Sequence, residues 1–425
     1  MKVLVSAYAC NPAGSLALHP GEDLAGWKLM RQLARFNDLW IITHAYNRPE
    51  IKGFPGQGDP SGVKFHFVDL PPWLRWLYKI EFGQRIYYYL WQIKAWRVAR
   101  RLHKTVGFDA AHHLTFGNDW IPSFIGAFLP VPFIWGPVGG GQRTPKKLRP
   151  EYSLYGRLAE RVRSTAQWFG RRDLVRRRCL KRAKAVLVCN EETKLKMPAK
   201  HEKKIFYFPV NGISPEDLAP AEAPAANPKG FRVLTAGRLH RLKGFSLAVR
   251  ALGELSGKVP EAELVIVGTG PEENRLKSLA KNLGMESRIH FTPWLSRAEV
   301  LRGEMRACDV FLFPSFRDGG GAVVVEAMAS GKPVVCIDSG GPGNHVQEAW
   351  GVKILPGRPD EVVERITAAL LKAAADPEWR LRLGREARRR AEEFYVWDKL
   401  GDRMDAIYRH ALAGVPLPGD FKIGS

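Results

Sequence analysis

Acidic side chains are in short supply: 43 Asp and Glu face 65 Lys and Arg, which leaves a formal charge of +22 and a pI near 9.9. That surplus favours contact with anionic lipid, nucleic acid or phosphorylated ligands, with a merely solvated basic surface as the plain alternative. Cysteine is sparse as well. Cys10, Cys179, Cys189, Cys308 and Cys336 stand apart with no Cys-x-x-Cys pair, which argues against a zinc site or a disulfide framework and suits a reducing compartment. Long unbroken apolar runs are missing too. The uncharged stretch at residues 120–142 is cut by Pro122, Pro130, Pro132 and Pro137, whereas a spanning helix needs about 20 residues of continuous backbone bonding. It reads instead as a short helix, a turn and the buried strand FIWGPV. The opening MKVLVSAYA is too short for a signal peptide and reads as a first strand.

What is present is alternation. With 425 residues, 45% of them apolar, two globular domains are expected. Strand-like runs KVLVSAY, LWIITHA, VKFHFVDL, FDAAHHL, FIWGPV, KAVLVCN and KIFYFPV are separated by helical or loop segments. Residues 215–230, rich in Pro and Ala, read as a linker. The pattern then restarts with FRVLTAG, AELVIVG, RIHFTPW, CDVFLFPS, KPVVCID and GVKILP. This predicts an α/β chain of two Rossmann-like, doubly wound parallel sheets, at 1–214 and 231–395, facing a cleft where ligands meet strand C-termini. A helix at 396–414 is long enough to cross back to the first half.

Residues 317–335, RDGGGAVVVEAMASGKPVV, follow a strand-like run with three glycines and then a helix-forming stretch. A strand, a glycine turn and a helix leave backbone N–H groups pointing at whatever lies above the helix N-terminus, a geometry that suits an anion. Glu326, a little over one turn into that helix, can accept from a ribose diol beside the anion. A tight turn with a surface carboxylate explains the same residues equally well. Earlier, FRVLTAGRLHRLKG sets Arg238 and Lys243 just past a strand, where two cations can neutralise a diphosphate and the charge that builds on it as a bond to it breaks.

Taken in order with AELVIVGTGP, RIHFTPW, FLFPS and the EAMASGKPVV run, these segments resemble the nucleotide-sugar-dependent glycosyltransferases of the GT-B fold, in particular glycosyltransferase family 4. The likeness covers nearly the whole chain and is strongest over 205–400. It implies a retaining transferase that moves a sugar from a nucleoside-diphosphate sugar to a hydroxyl of a growing cell-surface glycan. Arg238 and Lys243 then match the cations on the donor diphosphate, and Glu326 the acid that binds the ribose. Asp318 matches the first acid of the family's E-x7-E motif, which contacts the donor sugar. Asp in place of Glu, with Gly319, Gly320, Gly321, Ala322 and Val323 in place of the usual G-F-G-L-P, puts the sugar's identity in doubt but keeps a backbone phosphate cradle. Gly268, Gly270, Thr292, Pro293 and Trp294 match the region lining the base. In the first half, the loop at residues 9–27 matches the one that closes over the donor, with Gly21 and Glu22 as candidates. FDAAHHLTFG falls where members carry an active-site histidine that orients a hydroxyl near the anomeric carbon; His112 matches the first histidine of their D-x-x-H-x-H, Leu114 stands at the second, which usually matters, and His113 has no counterpart, so either His112 or His113 is the candidate. GPVGGGQRTP, residues 136–145, is a second triple-glycine loop that either closes on a ligand or is plain connection. No Asp-x-Asp pair is placed to hold a metal on the diphosphate, so a metal-independent enzyme without a cofactor is expected.

Residues 71–104 mix Trp73, Trp76, Tyr78, Tyr87, Tyr88, Tyr89, Trp91 and Trp96 with many cations, and residues 163–184 repeat that character. Such composition suits a helix at a membrane surface, although amphipathic helices with aromatics in the core account for any single ring. The expected place is the inner face of the cytoplasmic membrane, with a lipid-linked saccharide as acceptor and no nucleic-acid partner. A non-catalytic basic scaffold and a nucleotide-sugar epimerase or hydrolase stand as alternatives.

Overall fold

The computed structural model describes residues 1–13, 20–53, 62–80, 83–218, 230–296, 300–419 and 421. Seven apolar runs become β1 (Lys2–Ser6), β2 (Asp38–His44), β3 (Val63–Val68), β4 (Ala110–His113), β5 (Phe133–Val138), β6 (Ala183–Val188) and β7 (Ile205–Tyr207). They pair in parallel in the order β3-β2-β1-β4-β5-β6-β7. A second sheet holds β8 (Arg232–Ala236), β9 (Glu263–Val267), β10 (Ile289–Thr292), β11 (Val310–Phe313), β12 (Val334–Ile337) and β13 (Gly351–Ile354). Its order is β10-β9-β8-β11-β12-β13, again parallel throughout. Central strands such as VFLF are buried at every position because helices cover both faces, so they read as continuous apolar runs.

In each sheet the winding reverses direction beside the first strand, at β1/β4 and at β8/β11. Loops leaving neighbouring strands diverge there and open a crevice at the carboxyl ends, which is where ligands of such sheets bind.

One face of the first sheet packs on the helix Gly83–Val106, whose Tyr87, Tyr88 and Trp91 are fully buried; these rings are core. The preceding 3₁₀ stretch Pro72–Lys79 instead leaves Trp73 and Trp76 exposed. The other face packs on Pro20–Ala34 and on the last long helix, Trp397–Ala413. That helix buries Leu400, Met404, Ile407 and Tyr408, an apolar stripe at helical spacing that returns the chain to the first half. Where the chain crosses between halves its two passages touch: Ile213 N–H donates to the Tyr395 carbonyl at 2.8 Å, and Trp397 N–H to the Ile213 carbonyl at 3.0 Å. Of the expected linker, Pro215–Asp217 forms a short turn, and 219–229 lie outside the described residues. The stretch 120–142 resolves into the helix Phe124–Phe128 and β5. No helix among the described residues is long and apolar enough to cross a membrane.

Candidate functional site

The crevice at β8/β11 assembles the second-half candidates. After β8 the chain turns through Arg241–Lys243 to Gly244, which caps the helix Phe245–Ser256 with φ +67°. A Cβ at Gly244 would stand 2.0 Å from the Pro314 carbonyl, so the β8 and β11 loops lie together only because that position is glycine. The close approach brings the Lys243 ammonium onto Asp318 Oδ2. Asp318 Oδ1 accepts from the N–H groups of Gly320 and Gly321 at 3.1 and 2.8 Å. Burial works to raise the Asp318 carboxyl, but Lys243 and those two N–H groups outweigh it and hold the group below its ordinary range. A carboxylate thus already occupies the anion-binding donors at the start of the helix Ala322–Ala329. Arg238 extends into solvent from the β8 end and makes no ion pair among the described residues. Glu326 sits half-buried in the second turn of the Ala322–Ala329 helix.

The glycine loop is gripped from both halves by residues that sequence reasoning passed over. His345, buried, donates from Nε2 to the Gly320 carbonyl at 2.7 Å and accepts at Nδ1 from the Tyr395 hydroxyl at 2.8 Å. Burial pushes its imidazole down to about 4, so it is neutral at neutral pH. From the first half, Asn190 Nδ2 donates to the Gly319 carbonyl at 3.2 Å, and Glu192 accepts from Gly340 N–H at 2.9 Å and the Ser339 hydroxyl at 3.2 Å. Asn190 is the N-cap of the Glu191–Lys194 turn, and that capping pattern is the only local signal it carries.

Gly268 and Gly270 knit the β8, β9 and β10 loops together. Gly268 N–H donates to the Thr292 carbonyl and Leu239 N–H to the Thr269 carbonyl, each at 2.9 Å. Pro293 and Trp294 follow β10 and are exposed.

The first-half candidates divide. His112 is buried with both ring nitrogens used: Nε2–H donates to the Gly136 carbonyl at 2.6 Å and Nδ1 accepts from the Tyr408 hydroxyl at 2.7 Å. No ring nitrogen is left for a substrate, so its place is in the packing of the returning helix. His113 points to the other face of the sheet, 3.0 Å from the Tyr88 hydroxyl; its Nδ1 is buried without a well-formed hydrogen bond, beside the backbone of Thr115. Gly21 lies in the first turn of Pro20–Ala34, open to solvent. Glu22 is next to it and accepts from Phe116 N–H past the β4 end. Glu22 is exposed; the crowding of nearby protein raises its carboxyl in direction, with Asp23 adding to the rise and the Phe116 N–H opposing it. In the loop at residues 9–27, 14–19 lie outside the described residues. Residues 139–141 pack between Asn118 and Thr193, and Gln167 donates to the Gly140 carbonyl at 2.8 Å. Among the described residues no three His, Cys, Asp or Glu side chains cluster as metal ligands, and all five cysteines are buried and free.

Over 98% of its length the chain superposes on the sucrose-phosphate synthase of Thermosynechococcus elongatus, covering 100% of that chain with a TM-score of 0.68 at 19% identity. The fold is GT-B. Within it, residues 221–390, the β8–β13 half, match the family model described as Glycosyl transferases group 1. A D-inositol 3-phosphate glycosyltransferase of Streptomyces bingchenggensis (strain BCW-1) is 31% identical over 219 residues, 48% of this chain and 47% of that protein. A GDP-mannose-dependent alpha-(1-6)-phosphatidylinositol monomannoside mannosyltransferase of Mycolicibacterium smegmatis (strain ATCC 700084 / mc(2)155) is 33% identical over 179 residues, 40% of this chain and 46% of that protein. The chain spans about half the length of the curated relatives it matches.

Proposed function

We propose that the chain transfers a sugar from a nucleoside-diphosphate sugar to a hydroxyl of a lipid-linked glycan, with retention at the anomeric carbon, in cell-surface polysaccharide or lipopolysaccharide synthesis at the inner face of the cytoplasmic membrane. The observation that carries this is the contact of Lys243 with Asp318 across the β8/β11 crevice, with the Arg238 guanidinium open beside it. In this reading the donor diphosphate takes over Lys243, meets Arg238 and draws the Gly319, Gly320 and Gly321 N–H groups, with Gly21 closing from the first half. Released from Lys243, the Asp318 carboxylate accepts from the sugar hydroxyls. Glu326 takes the ribose diol; Gly268, Gly270, Thr292, Pro293 and Trp294 border the base.

As the anomeric C–O bond to the diphosphate breaks and the acceptor oxygen bonds to that carbon, the hydroxyl proton passes to the departing phosphate oxygen and the two cations hold the remaining charge on the leaving group. They fill the place a metal would otherwise take. His113 is the histidine retained for positioning a hydroxyl, and His112 is not. The names of the relatives support the class of reaction: one uses GDP-mannose and acts on a phosphatidylinositol glycan.

The test is a thermal-shift screen with UDP, GDP, ADP and their common sugar conjugates. One nucleotide series raises the midpoint, because a ligand bound only to the folded form stabilises it by about 2.7 kcal/mol at a hundredfold excess over Kd. Lys243→Ala and Glu326→Ala abolish the shift. A shift that survives both substitutions, or none with any nucleotide, defeats the assignment.

A further inference from the structure

The helix Leu154–Gly170 is inside out. An ordinary surface helix turns its apolar stripe to the core and its polar side to water. At 3.6 residues per turn, Leu154, Leu158, Val162 and Phe169 share one side of this helix with Tyr155 and Trp168, and that side faces outward. Leu154 is 81% exposed and Phe169 63%. The inward side carries Glu160, Arg163 and Gln167 among small residues such as Ala159 and Ala166. Those polar groups are spoken for. Glu160 accepts from Arg317 and, at 3.3 Å, from Arg163; Arg163 also donates to the Gln142 carbonyl at 3.2 Å, and Gln167 reaches Gly140.

Such an apolar face exposed to water is costly and marks a contact surface. Its chemistry selects the occupant. Arg161 stands on the outward side between the apolar residues; Arg157 is there too, with its guanidinium donating to the Tyr152 and Pro150 carbonyls at 3.2 Å and its remaining N–H groups outward; and Arg172 lies over the Trp168 ring 3.6 Å from its centroid. Aromatic and aliphatic groups interleaved with long cations, on a chain of charge +22, fit the boundary of an anionic bilayer, where rings sit at headgroup depth and guanidinium groups reach the phosphates.

We propose that the outward face of Leu154–Gly170 is the membrane-docking surface, inserted parallel to an anionic bilayer. This rests on the reading of a membrane-surface transferase and names the element that does the docking. It has a geometric consequence for that reading. The inward side of the same helix holds Arg317, the residue before Asp318, so the docked bilayer and the donor loop are separated by about one helix diameter, about 10–12 Å. A sugar delivered from that loop meets an acceptor whose lipid anchor keeps it at the interface.

The experiment is co-sedimentation of the full chain with phosphatidylcholine vesicles with and without about 30% phosphatidylglycerol, at low and at about 0.5 M salt. Wild type pellets with the anionic vesicles at low salt and stays in solution with neutral ones. Leu158→Glu combined with Phe169→Glu lowers the bound fraction about tenfold. A second variant, Arg157→Glu with Arg161→Glu, keeps the apolar face and weakens only the anionic binding. Undiminished pelleting of both variants overturns the proposal. So does a wild-type dimer that pellets with neither vesicle and that Leu158→Glu with Phe169→Glu converts to monomer, since the face would then join two copies of the chain. The nucleotide shift is read on the same proteins: its absence in wild type, with the pelleting pattern intact, defeats the donor-site reading and leaves the docking surface standing.

Discussion

At the scale of single residues the β8/β11 crevice turns on Asp318. Burial alone would raise its carboxyl above the ordinary 3.8, and the Lys243 ammonium with two backbone N–H groups reverses that and lowers it. A carboxyl lowered on folding contributes stability that is complete above the ordinary carboxylate range and is lost as pH falls through the folded value. Asp318→Asn therefore lies furthest below wild type near neutral pH, and the gap closes below about pH 4. Urea denaturation at pH 7 and pH 3 reads the difference; an equal gap at both would contradict the pair. The residue roles legible in sequence were those with a local pattern. Lys243 and Asp318 each followed a strand and a glycine could be seen near both, so a meeting at strand ends was foreseeable. Asn190 and His345 hold the same loop from positions 129 and 25 residues away in the chain. Contacts of that separation leave no mark in a single sequence, since each residue reads locally only as a cap or a lone imidazole.

At the scale of elements, the strands were readable because parallel strands buried on both faces are short unbroken apolar runs, as VFLF and AKAVLV are. Helix faces were not. A helical wheel for 154–170 shows an apolar side and a polar side without saying which looks inward; that is settled by Glu160 finding Arg317 of the second half and Gln167 finding the Gly140 carbonyl of the first. In Gly83–Val106 the opposite choice was made, and Tyr87, Tyr88 and Trp91 went to the core. His112 shows the same limit, because its strand-end position drew attention and its partner Tyr408 is 296 residues distant. Tyr408→Phe removes the hydroxyl that serves the buried Nδ1 and costs about 1–3 kcal/mol, the penalty for a stranded buried acceptor. Chemical denaturation measures it. Unchanged stability would mean the ring finds another donor.

At the scale of the whole molecule, two GT-B halves share a glycine loop whose backbone carbonyls are held from both sides. Asn190 and Glu192 of the first half grip the loop region of the second, so under the proposed function the halves must part or the loop must shift before a nucleotide sugar can reach Asp318. Motion of this kind is rigid-body closure about a few residues. The two passages of the chain between the halves differ in kind: one includes the Pro- and Ala-rich segment at 215–230, the other runs directly through Val396 into Trp397. A protease site inserted at residue 224 therefore yields two pieces that still elute together, because the returning helix keeps the fragment after the cut anchored in the first half through Leu400, Met404 and Tyr408. Separation of the pieces on a sizing column without denaturant would show that the helix is not an anchor.

The bonds that join Ile213 to Tyr395 and Trp397 bind the two passages at one point. A lone passage would act as a tether and let one half twist and drift against the other. Two passages pinned side by side would act as a door hinge, so that an opening of the halves would return Asn190 to Gly319 in the same register.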